Sequence, residues 1–389
     1  MPCPYYIPAM KMLVLGAGLQ GCACAFDLLQ DPEVTQVTIA DLQPERMASF
    51  LSRRNDPKLR VVTLDVTDHT AVGALMADHA AAMSALPYYF NGAMAKLAVA
   101  NGCHFADLGG NTRIVMEQKE LEGEAHDKGL SIMPDCGLAP GMVNILAAEG
   151  MRRLDVTDRV RIFVGGLPQH PEPPLNYHIV YSIEGVLDYY TTPSWILRDG
   201  KRTSVDALSE LEPVEFPAPI GTLEAFHTGG GISTMPFTWE GKVREMEYKT
   251  LRYPGHVAIM KPIREMGLLA DTPLMVKGKS VVPRDLFIAA VSPMLTKPEG
   301  RDLVALRVIV SGTKHDKAFS TTFDLVDRFD EVHHVSAMMR TTGYSLSVTG
   351  LVQARRQVIR FGVTTPDEGM PFDRYVEGLK RRGILIHEQ

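Results

Sequence analysis

The sequence predicts an α/β protein, with a Rossmann-type doubly wound parallel sheet and a second α+β domain whose sheet is mixed or antiparallel. Three observations carry this reading. A glycine motif, Gly16-Ala17-Gly18-Leu19-Gln20-Gly21, follows the apolar run 12–15 and opens a helix-like segment. An acidic residue, Asp41, ends the next apolar run, 36–40. Strand-like and helix-like stretches then alternate as far as residue 134, beyond which longer irregular stretches rich in proline and glycine set in.

The first strand, turn and helix form the Rossmann pattern. Gly16 permits the tight turn, Gly18 lets backbone approach a pyrophosphate, and Gly21 lets the helix pack closely on the strand. Leu19 and Gln20 then sit in the first helical turn, where free N–H groups and the helix dipole favour phosphate. At Asp41 a carboxylate accepts hydrogen bonds from a ribose hydroxyl and repels a 2′-phosphate, which predicts NAD rather than NADP. Arg46, five residues on, reads as a solvated arginine at a helix start.

The pattern continues with strands at 60–64, 81–86, 103–108 and 130–134 and helices at 70–79, 91–100 and 113–128. Ligands of open α/β sheets lie beyond the carboxyl ends of the strands, so the residues there are the candidates. Asp65 and Val66 follow the third strand and can flank an adenine, although Asp65 also reads as a helix cap. Ser84 and Pro87 follow the fourth, where the nicotinamide ribose is expected, with Tyr88 beside them for substrate. Asp107, ahead of Gly109 and Gly110, is the first carboxylate expected near the reacting centre and equally fits a cap or turn residue.

From about residue 156 the strand-like runs are 161–164, 178–182, 235–237 and 303–311. Helical spacing over 335–356, followed by 366–382, indicates that the chain returns to its first domain. The expected division is a dinucleotide-binding domain at 11–145, completed by about 335–389, and a substrate-binding and dimerisation domain at 146–334.

A length of 389 residues suits two domains. With 45% apolar and 22% charged residues and a net charge of −6, the composition gives no reason to expect nucleic acid. No apolar run reaches the length of a membrane span, and residues 1–10 lack a basic start and apolar core, so a cytoplasmic protein without a membrane partner is expected. The five cysteines, Cys3, Cys22, Cys24, Cys103 and Cys136, contain no C-x-x-C pair and read as packing residues; no metal is expected. A homodimer or higher homo-oligomer is expected, joined through a sheet edge of the second domain or apolar surface around 183–187.

Further along the chain come Gly165-Gly166-Leu167-Pro168, Pro174-Leu175-Asn176-Tyr177, Tyr181-Ser182-Ile183-Glu184-Gly185, Arg198-Asp199-Gly200-Lys201, Leu223-Glu224-Ala225-Phe226 and Thr250-Leu251-Arg252-Tyr253-Pro254-Gly255-His256. With Ser84-Ala85-Leu86-Pro87-Tyr88 and Gly137-Leu138-Ala139-Pro140-Gly141, these segments resemble the saccharopine dehydrogenase and lysine dehydrogenase family. The resemblance implies hydride transfer between nicotinamide and a carbon bearing nitrogen, with a small amino acid as partner. It also shows departures. Val164 stands where saccharopine reductases carry cysteine, Tyr181 where they carry tryptophan, and His227-Thr228-Gly229-Gly230-Gly231 where they place an arginine.

That arginine suits the second carboxylate arm of saccharopine, and its loss points to a substrate without the arm. The resemblance therefore implies NAD-dependent oxidative deamination of L-lysine at its ε-carbon, giving 2-aminoadipate 6-semialdehyde and ammonia. The alternatives are a saccharopine dehydrogenase or related imine reductase, and a non-catalytic NAD-binding sensor or scaffold. Arg252 is expected to bind the α-carboxylate, with Tyr181 and Ser182 beside the substrate. A neutral amine and an attacking water need a base, for which Asp107, His178 and His227 are the candidates, with Lys96 and His104 behind them.

Overall fold

The structure of the chain, a computed structural model, describes residues 10–389. Cys3 and the short extension expected at the start lie outside the described residues. The chain divides into two compact units, one running to Ile145 and taking in Met339–Gly383, the other formed by Leu146–Met338 and Ile384–Gln389.

The first unit is built on a parallel sheet. Its strands β1 (Met10–Leu15), β2 (Val34–Asp41), β3 (Leu59–Thr63), β4 (Ala81–Ser84), β5 (His104–Asp107) and β6 (Ser131–Met133) take the order β3-β2-β1-β4-β5-β6. A seventh strand, Gly362–Val363, adds parallel to β6. Helices cover both faces, so Met12, Leu13, Val14 and Leu15 are all fully buried, as a continuous apolar run in a parallel strand requires. The helix Leu19–Leu28 buries every residue from Gly21 to Leu28, most of them small, which lets it lie close on the sheet.

The returning segment completes this core. A Cβ on Gly350, in the helix Ser345–Ala354, would stand 2.4 Å from Met83 Sδ, so a larger residue here would displace the Met83 side chain from this approach to β4. The amide of Gln353 donates to the carbonyls of Phe105 (2.9 Å) and Ser131 (3.1 Å), joining the helix to β5 and β6. Asp27, buried in the first helix, accepts from Arg382 Nε at 2.6 Å and from the Ser347 hydroxyl. Burial pushes the Asp27 carboxyl up, and these two partners pull it back. Two expected helices are interrupted: 113–128 breaks into Thr112–Lys119 and Glu122–Asp127, and 335–356 contains a π turn at Arg340–Tyr344.

The second unit holds a nine-stranded mixed sheet among the described residues. Its strands are β7 (Val156–Pro168), β8 (Ser194–Arg198), β9 (Lys201–Val205), β10 (Glu212–Phe216), β11 (Gly221–His227) and β12 (Glu245–Arg252), then β15 (Asp302–Lys314) and β16 (Lys317–Arg328) after a separate hairpin of β13 (Leu274–Val276) and β14 (Lys279–Val281). The order runs β10-β11-β12-β7-β15-β16 and ends on His387–Glu388, while β8 joins β12 and carries β9. β12 runs parallel to β7, and the other pairs are antiparallel.

The β11–β12 register decides which side chains meet. Glu224 lies opposite Arg252, Phe226 opposite Thr250, and His227 opposite Lys249. Successive residues of a strand point to opposite faces, so Arg252 and Glu224 share one face and His227 and Lys249 the other. On the Arg252 face Phe226 packs with Tyr177, Val186, Leu187, Tyr190, Val257 and Met260. On the His227 face Ala225 and Leu251 pack with Phe163 and Leu223.

Several expectations are corrected. Residues 178–182 are not a strand: they run irregularly into Ser182, whose hydroxyl caps the helix Ile183–Thr191 by accepting from Gly185 N at 3.2 Å. Residues 235–237 begin a short helix, Met235–Thr238, whose first turn suits Pro236, a residue with no N–H for a ladder. Val186 and Leu187 are buried within their own unit and form no apolar surface patch. The tail does not stay in the first unit, because residues 387–388 pair with β16 and Asp302 holds the N–H groups of Ala337 and Met338 at 2.7 and 2.9 Å. Among the described residues no helix is long and apolar enough to cross a membrane.

The Asp27–Arg382 pair yields a test of the returning segment. Arg382→Met leaves the carboxylate buried without its guanidinium, and the unfolding free energy of the first unit is expected to fall by about 3 kcal/mol in urea titration. Asp27→Asn in the same background is expected to recover part of that loss.

Candidate functional site

The glycine motif leaves β1 as a turn and enters the helix Leu19–Leu28 at Gly18. Gly16 has a φ of +97°, where a side chain would be strained, and a Cβ there would meet Ala85 O at 2.9 Å. A Cβ on Gly21 would fall 1.9 Å from Gly16 O, so this glycine is fixed by the turn itself. Gly18 is exposed and a Cβ there would meet nothing within 4 Å. The helix start has no side-chain cap, which leaves its first N–H groups directed outward past Gly18 and the exposed Leu19. These features fit a pyrophosphate. Asp41 fixes the loop from the end of β2, accepting from Ala17 N (2.6 Å) and Gln43 N (2.8 Å).

At the neighbouring strand ends the candidates separate into exposed and structural groups. Asp65 is exposed and closes a turn on Thr67 N and Oγ1 at 2.9 and 2.7 Å, while the cap of the following helix is Asp68. Val66 beside it is buried. Ser84 is wholly buried and donates to Asn91 Oδ1 at 2.8 Å, whereas Pro87 and Tyr88 are exposed just beyond it.

Asp107, expected as a base, is held within the fold. It is fully buried and accepts from Gly109 N (2.7 Å), Gln118 Nε2 (2.7 Å) and Asp135 N (3.3 Å), so most of its accepting capacity serves the fold. Burial pushes its carboxyl up to about 6, against the pull of these three donors. His104 is likewise structural, with Nδ1 accepting from Ser131 N at 2.9 Å, and Lys96 is exposed on its helix. The four described cysteines are buried and unpaired.

In the second unit Arg252 is 3% exposed, and among the described residues it has no carboxylate within salt-bridge distance. Its Nε donates to the Tyr190 hydroxyl (3.1 Å), Nη1 donates to Leu251 O (2.8 Å), and the guanidinium lies over the Tyr177 ring at 4.8 Å. The residue placed to neutralise it is Glu224, directly across the ladder. Both Glu224 oxygens are used elsewhere, accepting from Val257 N (2.7 Å) and Gly255 N (3.0 Å) at the start of the helix His256–Glu265. A buried cation is costly unless paired, which makes the Arg252 guanidinium a candidate for an anion.

Tyr181 belongs to the same tyrosine cluster, its hydroxyl held protonated by burial and the neighbouring tyrosines. Ser182 is corrected from a substrate ligand to the helix cap described above, since its proton goes to Glu184 at 2.9 Å and its oxygen to Gly185. His178 packs against Gly300, and burial and Lys297 hold its ring toward the neutral form.

His227 cannot share a small substrate with Arg252, because it projects from the other face of the sheet. There its Nδ1 meets Tyr248 O and its Nε2 meets Glu210, both at 3.1 Å. Glu247, Glu210 and His227 come close enough to hold a metal ion. The acids are already paired, however: Glu210 with Arg198, Glu212 with Lys249 and Arg161, and Glu247 with Arg161. This is an ion-pair network whose charges balance. The sequence reading missed Glu224, Tyr190 and His256 as parts of the Arg252 site. The signal for Tyr190 was available in the buried spacing Val186, Leu187, Tyr190 of a helix; that for Glu224 existed only in the strand register.

Comparison with known proteins places these two sites in context. The profile of the saccharopine dehydrogenase NADP binding domain matches residues 12–133, and that of the saccharopine dehydrogenase C-terminal domain matches residues 137–384. The saccharopine dehydrogenase [NADP(+), L-glutamate-forming] of Pyricularia oryzae is 28% identical over 272 residues, covering 67% of this chain and 58% of the relative. The Saccharomyces cerevisiae enzyme of the same name is 27% identical over 270 residues, covering 67% and 59%. The matched region thus spans under two thirds of these curated relatives. Among solved structures, the yeast apo saccharopine dehydrogenase (L-Glu forming) superposes with a TM-score of 0.80 at 21% identity, covering 98% of this chain and 99% of that one. A homospermidine synthase from Legionella pneumophila, in complex with NAD, gives 0.68 at 10% identity over 98% and 91%. These two likenesses establish the fold.

Two measurements test the cradle and its flank. Gly21→Ala forces the turn away from the helix and is expected to weaken cofactor binding at least tenfold by calorimetric titration, roughly the 1.4 kcal/mol of a lost optimal contact. For Asp107 the folded carboxyl titrates above the unfolded one, near 3.8, so its protonation stabilises the fold below that value and the contribution is lost as pH rises through about 6. Asp107→Asn is therefore expected to flatten the fall in unfolding free energy between those two pH values.

Proposed function

The chain belongs to the saccharopine dehydrogenase family, and on that premise we propose that it is a pyridine-nucleotide-dependent oxidoreductase acting at a carbon–nitrogen bond of an amino acid, as a saccharopine dehydrogenase or related imine reductase. The observation that carries the substrate class is Arg252, a buried guanidinium whose cross-strand acid is committed to a helix start. With Nε and one Nη1 proton already donated, its Nη1–Nη2 edge is the part left for a carboxylate, and a guanidinium fork matches that group in two hydrogen bonds.

For the cofactor, the residues that would hold the pyrophosphate are Gly16, Gly18 and the N–H groups of Leu19, Gln20 and Gly21, with Asp41 toward the adenosine ribose. The bound nucleotide supplies hydride acceptance or donation. We assign NAD, since the Asp41 carboxylate already gathers two N–H groups and its negative charge opposes a 2′-phosphate. The curated relatives carry NADP(+) in their names, so this choice is a direct point of difference. The chain's own part is to anchor the amino-acid head through Arg252, enclose it with Tyr177 and Tyr181, and hold the cofactor by backbone.

A second reading, oxidative deamination of L-lysine, is favoured by the glycine run. A Cβ on Gly231 would stand 2.3 Å from the Tyr248 ring, one on Gly230 2.8 Å from Tyr189, and one on Gly229 3.0 Å from Thr192. Packing at Gly230 and Gly231 therefore leaves no ready room for an arginine toward a second substrate carboxylate. Because the enzyme would work on soluble amino acids, we place it in the cytoplasm as a homo-oligomer.

Absorbance of the reduced nicotinamide decides among the readings. Reduction of NAD by saccharopine is the expected result. Reduction by L-lysine alone, with ammonia released, supports the second reading, and tight cofactor binding without turnover of any amine returns the scaffold alternative. Arg252→Ala is expected to lower kcat/KM about 100-fold, mostly through KM, in line with the 2–5 kcal/mol typical of losing one partner of a buried charge pair; unchanged kinetics would remove Arg252 from the site.

A further inference from the structure

A buried arginine can turn about its long side chain, so leaving one edge open for a carboxylate requires the other edge to be fixed. Here a directed chain of hydrogen bonds fixes it. Leu175 O can only accept, so the 3.1 Å contact with His256 requires a proton on Nδ1. In the neutral ring Nε2 is then an acceptor and takes the Tyr190 hydroxyl proton at 2.9 Å. With its proton so directed, the Tyr190 oxygen presents its lone pairs to Arg252 Nε–H at 3.1 Å.

Every member is buried: His256 is 2% exposed, Tyr190 1% and Arg252 3%. Burial and the nearby guanidinium hold His256 neutral, down to about 3, so the direction of the chain persists across working pH. Rings clamp it from the sides. His256 stacks on Phe226 with ring centroids 6.4 Å apart and an interplanar angle of 10°, and Tyr177 meets it edge-on while also covering the guanidinium. Glu224 seats the N-terminus of the helix that begins with His256.

We propose that Tyr190 and His256 are positioning residues that orient the Arg252 guanidinium and so set the preference of the site for an amine carrying an α-carboxylate. This rests on the reading of Arg252 given above. Neither residue touches substrate; Tyr190 acts on Arg252 and His256 acts on Tyr190.

The test compares L-lysine with 1,5-diaminopentane, the same amine lacking the α-carboxylate, and saccharopine with its analogue lacking that group, by calorimetric titration of the full chain with cofactor and by KM and kcat where turnover occurs. Tyr190→Phe removes one oxygen and keeps the ring, so its fold is expected to survive, and cofactor affinity serves as the control. Affinity for the acid is expected to fall about tenfold, as for loss of one hydrogen bond to a charged group, with kcat within twofold of wild type and the decarboxylated amine unaffected. His256→Gln is expected to show the same selective loss, and the double variant no more than either single one, because the two residues act in one chain. Equal loss for acid and decarboxylated amine in Tyr190→Phe would show a purely structural role and overturn the proposal. If Arg252→Ala abolishes the preference for the acid while Tyr190→Phe and His256→Gln keep it, the positioning chain fails and the anchor stands. If Arg252→Ala itself keeps the preference, the anchor fails first and takes the chain with it.

Discussion

The double hydrogen bond from Glu224 to the start of the helix His256–Glu265 is the constraint on which the second unit turns. It anchors that helix to β11, and by doing so withdraws the one carboxylate that the ladder sets across from Arg252. Had Glu224 remained paired with Arg252, the result would be an ordinary buried ion pair with no reason to bind anything. The same helix then supplies His256, and with it the far end of the chain that orients the guanidinium. One acidic side chain thus seats the helix and leaves the cation beneath it unneutralised.

The sheet between the two faces works as a partition. On one side the cation is stacked on Tyr177 and bonded to neutral groups; on the other, Glu210, Glu212 and Glu247 meet Arg161, Arg198 and Lys249 in a balanced network around His227. Strand alternation alone separates the two, because His227 and Arg252 lie on adjacent strands at positions of opposite parity. The balanced side has strong Coulombic pairing and no unmet charge. The unbalanced side keeps a buried guanidinium with no carboxylate in salt-bridge contact among the described residues.

Much of the first unit was legible because its signals are local. Gly16, Gly18 and Gly21 act within one turn, the run 12–15 is buried on both faces, and Asp41 ends the adjacent strand. The return of the chain was readable from helical spacing, though not the π turn at 340–344, which arises where Gly343 lets the segment approach Ala23 and Gln20. In the second unit local signals fail. Residues 178–182 alternate like a strand, yet Ser182 and Glu184 start a helix; 235–237 look apolar and extended, yet Pro236 suits a first helical turn. Arg252 was legible as a candidate, but the faces of β11 and β12 follow from register, which pairs residues twenty or more positions apart. For the same reason Asp107 and His227 looked available: the groups that occupy them, the donors of Gln118 and Asp135 for the one and the acceptors Tyr248 O and Glu210 for the other, come from other elements.

The first unit borrows the helix Ser345–Ala354, the strand Gly362–Val363 and Arg382 from the far end of the chain. A ribosome therefore makes the glycine motif early and the groove-filling helix late, with the whole of the second unit synthesised between them. Throughout that interval Met83 and the carbonyls of Phe105 and Ser131 lack the partners that Gly350 and Gln353 later provide. Nascent chains stalled before residue 345 would expose this apolar groove to chaperones, and the nucleotide cradle would reach its final rigidity only once the returning helix has docked.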